Sequence, residues 1–196
     1  MSANSWDDYA EGWDSNSDVV TYAERALQAL NEAIDCTDAR ILDFGCGTGL
    51  LTERLSARAG SIVALDPSEK MISVLNAKQL DNVATIQSEL TRELIERNEH
   101  LQTRFDVIVA SSALAFVPDY RETLQLLTEL LTDNGRLVQW DWLKEADDGG
   151  SGFSREDIAN AFGQAGLADI RVTVPFSLDA GGGSMDVVMG IGTKTR

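Results

Sequence analysis

In the segment Arg40-Ile41-Leu42-Asp43-Phe44-Gly45-Cys46-Gly47-Thr48-Gly49-Leu50-Leu51, an acid stands two residues ahead of three glycines at every second position. Glycine, lacking Cβ, lets the backbone turn tightly and approach a ligand closely. A helical pattern opens directly afterwards, and a helix N-terminus turns unpaired N–H groups toward whatever sits in the turn. A dinucleotide site needs glycines at the first, third and sixth positions, and here the sixth is Leu50. A phosphate loop needs Lys followed by Ser or Thr, which is absent. Asp43 would repel a pyrophosphate and could hold an ammonium group, so the ligand expected here is cationic at that end.

Asp66 lies 17 residues beyond Gly49 and closes the apolar run Ser61 to Asp66. A carboxylate there can accept two hydrogen bonds from ribose hydroxyls. It can also cap the next helix, a role that Pro67 at the first helical position would suit. Further on, Phe105 to Ser112 reads as a strand that delivers Ser111, Ser112 and Phe116 to the carboxyl edge of a sheet, where open parallel sheets bind ligands. Gly135 to Trp142 ends at the same edge with Trp140, Asp141 and Trp142.

The run Leu42 to Gly49 resembles the first motif of class I S-adenosylmethionine-dependent methyltransferases, and Asp66 resembles the second. The resemblance spans about Ser5 to Thr193 and implies S-adenosyl-L-methionine as cofactor. It places Asp43, Gly45, Cys46, Gly47, Gly49, Asp66, Pro67 and Ser111 around that cofactor, with Met71 near the adenine. Glu89 would accept from the adenine 6-amino group and Leu90 would lie on the ring, although relatives commonly carry Gly-Asp-Ala where Ser88-Glu89-Leu90 stands. Relatives often have His in place of Ala115, and the Asn-Pro-Pro-Tyr type turn of amino-group enzymes acting on nucleic acids is missing. The implied reaction is in-line methyl transfer to a small-molecule acceptor, in which the protein aligns the nucleophile and excludes water. Trp13, Phe116, Trp140 and Trp142 are expected to wall the acceptor, and Asp141 and Tyr9 are the candidate bases. The alternative is a non-catalytic module that binds S-adenosylmethionine or S-adenosylhomocysteine, or a regulatory subunit of a partner. A nicotinamide oxidoreductase is disfavoured by Leu50.

These residues need elements to hold them. Alternating strand and helix patterns predict an α/β three-layer sandwich: a seven-stranded, mostly parallel twisted sheet, last strand antiparallel, with helices on both faces. One domain is expected over residues 1–196, residues 1–38 forming an N-terminal helical lid segment and 39–194 a Rossmann-like core. Trp6, Tyr9 and Trp13 would lie over the cofactor or pack on the sheet. Thr91 to His100 is expected as one surface helix, and Lys144 to Phe153 as an acidic glycine-rich link. Pro175 to Met185 would be a loop inside a terminal hairpin whose strands are too close in sequence for a crossover helix.

The chain has 196 residues and a formal net charge of −16, from 32 acids against 16 basic residues. Such a surface repels nucleic acids and anionic membranes, so neither is an expected partner. No apolar run nears the roughly 18 residues of a membrane span, and the N-terminus lacks a basic segment or apolar core of a leader. The expected location is cytoplasmic, with Cys36 and Cys46 reduced. His100 is the single histidine, so no histidine-based metal centre is expected.

Overall fold

The computed structural model describes residues 3–144, 152–180 and 183–196. Helix α1 (Ala3–Ala10) leads through a left-handed Gly12 to a single 3-10 turn at Trp13–Ser15 and then to α2 (Ser17–Ala33). Asn16 caps α2, its side chain accepting from the Asp18 N–H. Strands and helices then alternate: β1 (Arg40–Phe44), α3 (Leu50–Ser56), β2 (Ser61–Asp66), α4 (Glu69–Ala77), β3 (Val83–Gln87), α5 (Arg92–Arg97), α6 (Glu99–Gln102), β4 (Phe105–Ser111) and α7 (Tyr120–Leu130). The chain closes with β5 (Leu131–Trp142), α8 (Arg155–Gln164), β6 (Leu167–Ala180) and β7 (Gly183–Lys194).

The seven strands form one sheet in the order β3-β2-β1-β4-β5-β7-β6. β1, β2, β3, β4 and β5 pair in parallel, whereas β7 runs antiparallel to both β5 and β6. This is the sheet expected from the sequence. Its two faces are covered by separate apolar clusters, because alternate side chains of a strand point to opposite faces. Leu42 and Phe44 of β1 join Leu124, Leu127, Ile158 and Phe162 of α7 and α8 on one face. Ile41 joins Leu30, Leu51, Leu55 and Trp140 on the other.

Three boundaries differ from the sequence-based expectation, each for a local reason. The segment Thr91 to His100 breaks at Asn98, whose side chain accepts from the His100 N–H and caps a second short helix. The stretch Pro175 to Met185 is strand on both sides of residues 181–182, which lie outside the described residues, so the hairpin is longer than expected. Pro175 sits where the β6–β7 register shifts between Thr173 and Phe176, on an edge strand that can spare an N–H. The helix after Asp66 is capped by Ser68, so Pro67 precedes the cap instead of opening the helix. Of the Lys144 to Phe153 link, residues 145–151 lie outside the described residues, while Leu143 bridges to Phe153.

Phe162 is fully buried where α8 meets β7, and any Cβ at Gly192 would come within 2.9 Å of its ring. Such close packing leaves little room for the site to collapse, so Phe162→Ala is expected to cost about 3–5 kcal/mol in urea unfolding. A loss under about 1 kcal/mol would contradict this packing.

Candidate functional site

β1 is an inner strand, and after it the chain runs outward through β2 and β3 before returning to β4 on its other side. The carboxyl ends of β1 and β4 therefore diverge at a point where connections leave in opposite directions, the usual position of a ligand crevice. A cavity of about 610 Å³ opens there.

The glycine turn forms the cavity floor. Gly45, Gly47 and Gly49 all have positive φ (68°, 54° and 79°), a conformation that side-chain-bearing residues resist. At Gly45 a Cβ would also lie 2.4 Å from Ala113 Cβ, so the turn after β1 and the segment after β4 touch backbone-close. Gly49 does not line the cavity; it starts α3, and a Cβ there would fall 2.3 Å from Leu75 Cδ1. Its expected place at the cofactor is thus corrected to one of packing. The turn's amides point inward: the Gly45 and Cys46 N–H groups donate to Leu65 O, and the Gly47 N–H donates to Asp66 Oδ2. Those donors are committed, which is the opposite of an anion cradle.

Around this floor stand carboxylates. Asp43, 1% exposed, accepts from Thr52 Oγ1 at 2.6 Å. Burial pushes its carboxyl up to about 6, partly offset by the Thr52 hydroxyl, with the neighbouring Asp66 adding to the rise. Asp66 accepts from the Ser68 N–H at 2.8 Å as well as from Gly47, and burial again raises it. Glu89 and Leu90, after β3, line the same cavity with Pro67, Met71, Cys46 and Ser111. The Cys46 thiol is held far above its usual range by burial first, then by Asp43 and Asp66, so it stays protonated. Asp43, Gly45, Cys46, Gly47, Asp66, Pro67, Met71, Glu89, Leu90 and Ser111 are therefore brought together.

The expected acceptor wall is divided. Trp13, Phe116 and Trp142 line the cavity. Trp140 does not: it pairs with Ser111 and Met189 within the sheet and is fully buried in the core under α2. Asp141 is also fully buried and off the cavity; its Oδ2 accepts from Gln139 Nε2 at 2.8 Å, and Gln139 Oε1 accepts from the Tyr120 hydroxyl at 2.7 Å. Burial pushes Asp141 up to about 7. Tyr9 is 53% exposed and stacks with Trp6 and Trp13 outside the cavity. Neither candidate base reaches the cavity, because strand alternation turns Asp141 to the face opposite Trp142 and α1 ends one residue beyond Tyr9.

Other residues line or border the cavity: Trp6 and Ser112, which the sequence placed near it, and Asp7, Asp14 and Tyr22, which sequence reasoning did not assign. Trp6 lines it and meets Phe116 edge-on at 5.0 Å, so α1 reaches the segment after β4. Asp7 accepts from the Ser68 hydroxyl and the Lys70 N–H, and these bonds hold its carboxyl below the usual range. Asp14 accepts from the Thr48 hydroxyl and pairs with Lys78 at 2.9 Å. Tyr22 lines the cavity from α2; the spacing Tyr22, Ala26, Ala29 is the stripe that could have found it, since small residues below a tyrosine let a helix approach a sheet. Ser112 lines it with a left-handed φ of 53°, strained backbone of the kind that gathers at functional sites.

Residues 42–137 match the model of a family described as a methyltransferase domain. The chain carries a methyltransferase domain. An uncharacterized methyltransferase of Schizosaccharomyces pombe is 30% identical over 154 residues, 67% of this chain and 54% of that protein. The mitochondrial ubiquinone biosynthesis O-methyltransferase of the same yeast is 31% identical over 132 residues, 64% of this chain and 48% of that one. The chain thus spans about half the length of these curated relatives. Among solved structures, the DhpI–SAH complex superposes with a TM-score of 0.73 at 19% identity, covering 99% of this chain and 95% of that one. A SAM-dependent methyltransferase from Aquifex aeolicus gives 0.67 at 18% identity, covering 95% and 97%. The methyltransferase domain therefore has the fold of those proteins. Among the described residues no helix is long and apolar enough to cross a membrane, and no group of three or more His, Cys, Asp or Glu is placed to hold a metal.

Because the folded value of Asp43 lies above its ordinary 3.8, its contribution to stability is present below that value and lost as pH rises through about 6. Asp43→Asn keeps an acceptor for Thr52 and removes the buried charge. The variant is expected to be more stable than wild type by about 1–3 kcal/mol near pH 7.5, with the gain vanishing near pH 4. Urea titrations at both pH values check this, and a pH-independent difference would contradict it.

Proposed function

We propose that the protein binds S-adenosyl-L-methionine in this cavity and transfers its methyl group in line to a small-molecule acceptor. The observation that carries the reading is the set of groups around the glycine turn: Asp43, Asp66 and Glu89 are all acceptors, and among the described residues lining the cavity the one cation, Arg92, is paired with Glu129. The residues fit the cofactor. Asp43 would face the ammonium end, Asp66 would accept from the ribose hydroxyls on the lone pairs left free by Gly47 and Ser68, and Glu89 would accept from the adenine amine above Leu90. Bound there, the sulfonium supplies both the methyl group and the driving force.

What the chain itself contributes is alignment and dryness. Gly45 and Gly47 allow close approach, and the aromatic side chains Trp13, Phe116 and Trp142 shield the far half from water. The likeness to named methyltransferases supports the activity, and the match to enzymes named for ubiquinone biosynthesis supports a small acceptor.

Calorimetry with S-adenosylmethionine is expected to show one site, and Asp66→Ala is expected to weaken it by about 100-fold, on the order of 3 kcal/mol. Undiminished affinity in a folded variant would show the ribose assignment to be wrong.

The segment 1–38 acts in this reading as a lid, fastened by Asp7 to Ser68, by Asp14 to Thr48 and by Trp6 to Phe116. Asp7→Asn with Asp14→Asn replaces two charge-assisted bonds and is expected to speed cofactor release about tenfold in stopped-flow mixing. An unchanged release rate would remove the lid role from these contacts.

A further inference from the structure

The half of the cavity beyond the glycine turn has a charge and a base inventory that together restrict the acceptor. It is bounded by the start of α2, the segment from β4 into α7, and the tip of β5. Three carboxylates face it: Asp18 in the first turn of α2, and Asp119 and Glu122 at the start of α7. Among the described residues lining the cavity, Arg92 is the one cation, and both ends of its guanidinium donate to Glu129, at 3.0 and 3.2 Å. Residues 1–2, 145–151 and 181–182 contain no lysine or arginine. An anionic acceptor entering this space would lose hydration and find no counter-charge.

Among the described residues, the groups facing this half that could take a proton are Asp18, Asp119 and Glu122, and a carboxylate is too weak a base to free a phenolate or an alkylamine ahead of transfer. The single histidine is remote: Arg40, at the amino end of β1, donates to His100 O, which puts His100 at the opposite edge of the sheet. Asp141 and Tyr9 lie off the cavity, and the half-buried Cys46 thiol is held protonated. A phenol or alcohol would need a base matched to its proton, and an aliphatic ammonium would need one to free its lone pair. The nucleophile must therefore arrive uncharged, with its lone pair ready. The walls suit a flat molecule, since Trp13, Phe116 and Trp142 present rings to the space. Tyr22, 8% exposed, adds a ring to the same wall and meets Trp142 edge-on at 5.5 Å, its hydroxyl shut away from the space.

Resting on the functional reading above, we propose that the acceptor is a flat molecule methylated on a weakly basic, uncharged nitrogen, an aromatic amine or aza-heterocycle. The nitrogen lone pair forms the bond to the methyl carbon while the carbon–sulfur bond breaks with its electron pair left on sulfur. The positive charge passes from sulfur to nitrogen, and a nitrogen that carries a proton then releases it to water. Asp18, Asp119 and Glu122 favour that migration, because charge moves toward them and is not extinguished, as it would be with a phenolate or carboxylate.

The test is a methyl-transfer panel read by mass spectrometry, pairing aromatic amines, imidazoles and pyridines with phenols and carboxylates on the same ring skeletons, and with cofactor binding measured separately by calorimetry. Expected products are confined to the nitrogen members. Asp18→Asn with Glu122→Gln lowers kcat/KM for them about tenfold. Faster turnover of a phenol or carboxylate overturns the proposal, as does normal cofactor binding with no nitrogen member methylated. Absence of cofactor binding overturns the functional reading itself, and this inference with it.

Discussion

A carboxylate shut away from water at the tip of an inner strand, with a threonine hydroxyl as its hydrogen-bond partner, is the constraint around which this molecule is arranged. Asp43 is 1% exposed, and Asp66 stands close enough to raise its proton affinity further. Burying a carboxylate is unfavourable unless a counter-charge arrives, so the fold keeps the group for what it binds and not for its own stability. The strand order makes the place available. With β2 and β3 on one side of β1 and β4 on the other, the loops after β1 and β4 part, and the acid lies at the bottom of the gap.

Everything near the gap serves either closeness or closure. Gly45 lets the two loops touch, while the inward-pointing amides of the turn leave acceptors, and not donors, to face the cavity. The N-terminal segment lies against one side of the gap, its Asp7, Asp14 and Trp6 each reaching a different loop of the sheet edge. Charge then divides the labour between the two halves. Acids on the β1 to β3 side, Asp43 and Asp66 buried and Glu89 exposed, suit a cation with hydroxyl and amino donors, and acids on the α2 and α7 side turn away anions.

Much of this was legible in the sequence because it rests on short-range pattern. Three glycines at alternate positions after Asp43, an acid closing Ser61 to Asp66, and two strands too close for a crossover helix specify the turn, the second strand tip and the terminal hairpin. The aromatic end of β5 was not legible in the same way. Trp140 and Trp142 share a face, and which of them clears the sheet depends on where the neighbouring strands stop. Trp140 is level with Ser111 of β4 and Met189 of β7, so it stays in the core, and Trp142 lies two residues beyond β4's last pairing. Asp141 points to the other face, where Gln139 and Tyr120 claim it. Tyr22 was hidden for a related reason: its neighbours on the helix face are alanines, whose burial depends on how near α2 comes to the sheet.

In the proposed complex the charge on Asp43 is what the cofactor's cationic end meets. Calorimetric titration of S-adenosylmethionine between about pH 5 and 7 tests it most directly, since the ligand's own groups titrate little there. With the free protein's Asp43 raised to about 6, binding is expected to draw that value down, so affinity falls as pH drops below about 6 and approaches a tenfold loss per pH unit. The Asp43→Asn variant is expected to bind weakly at every pH with no such slope. An affinity flat across the range in wild type, or a wild-type slope retained in the variant, would contradict the account.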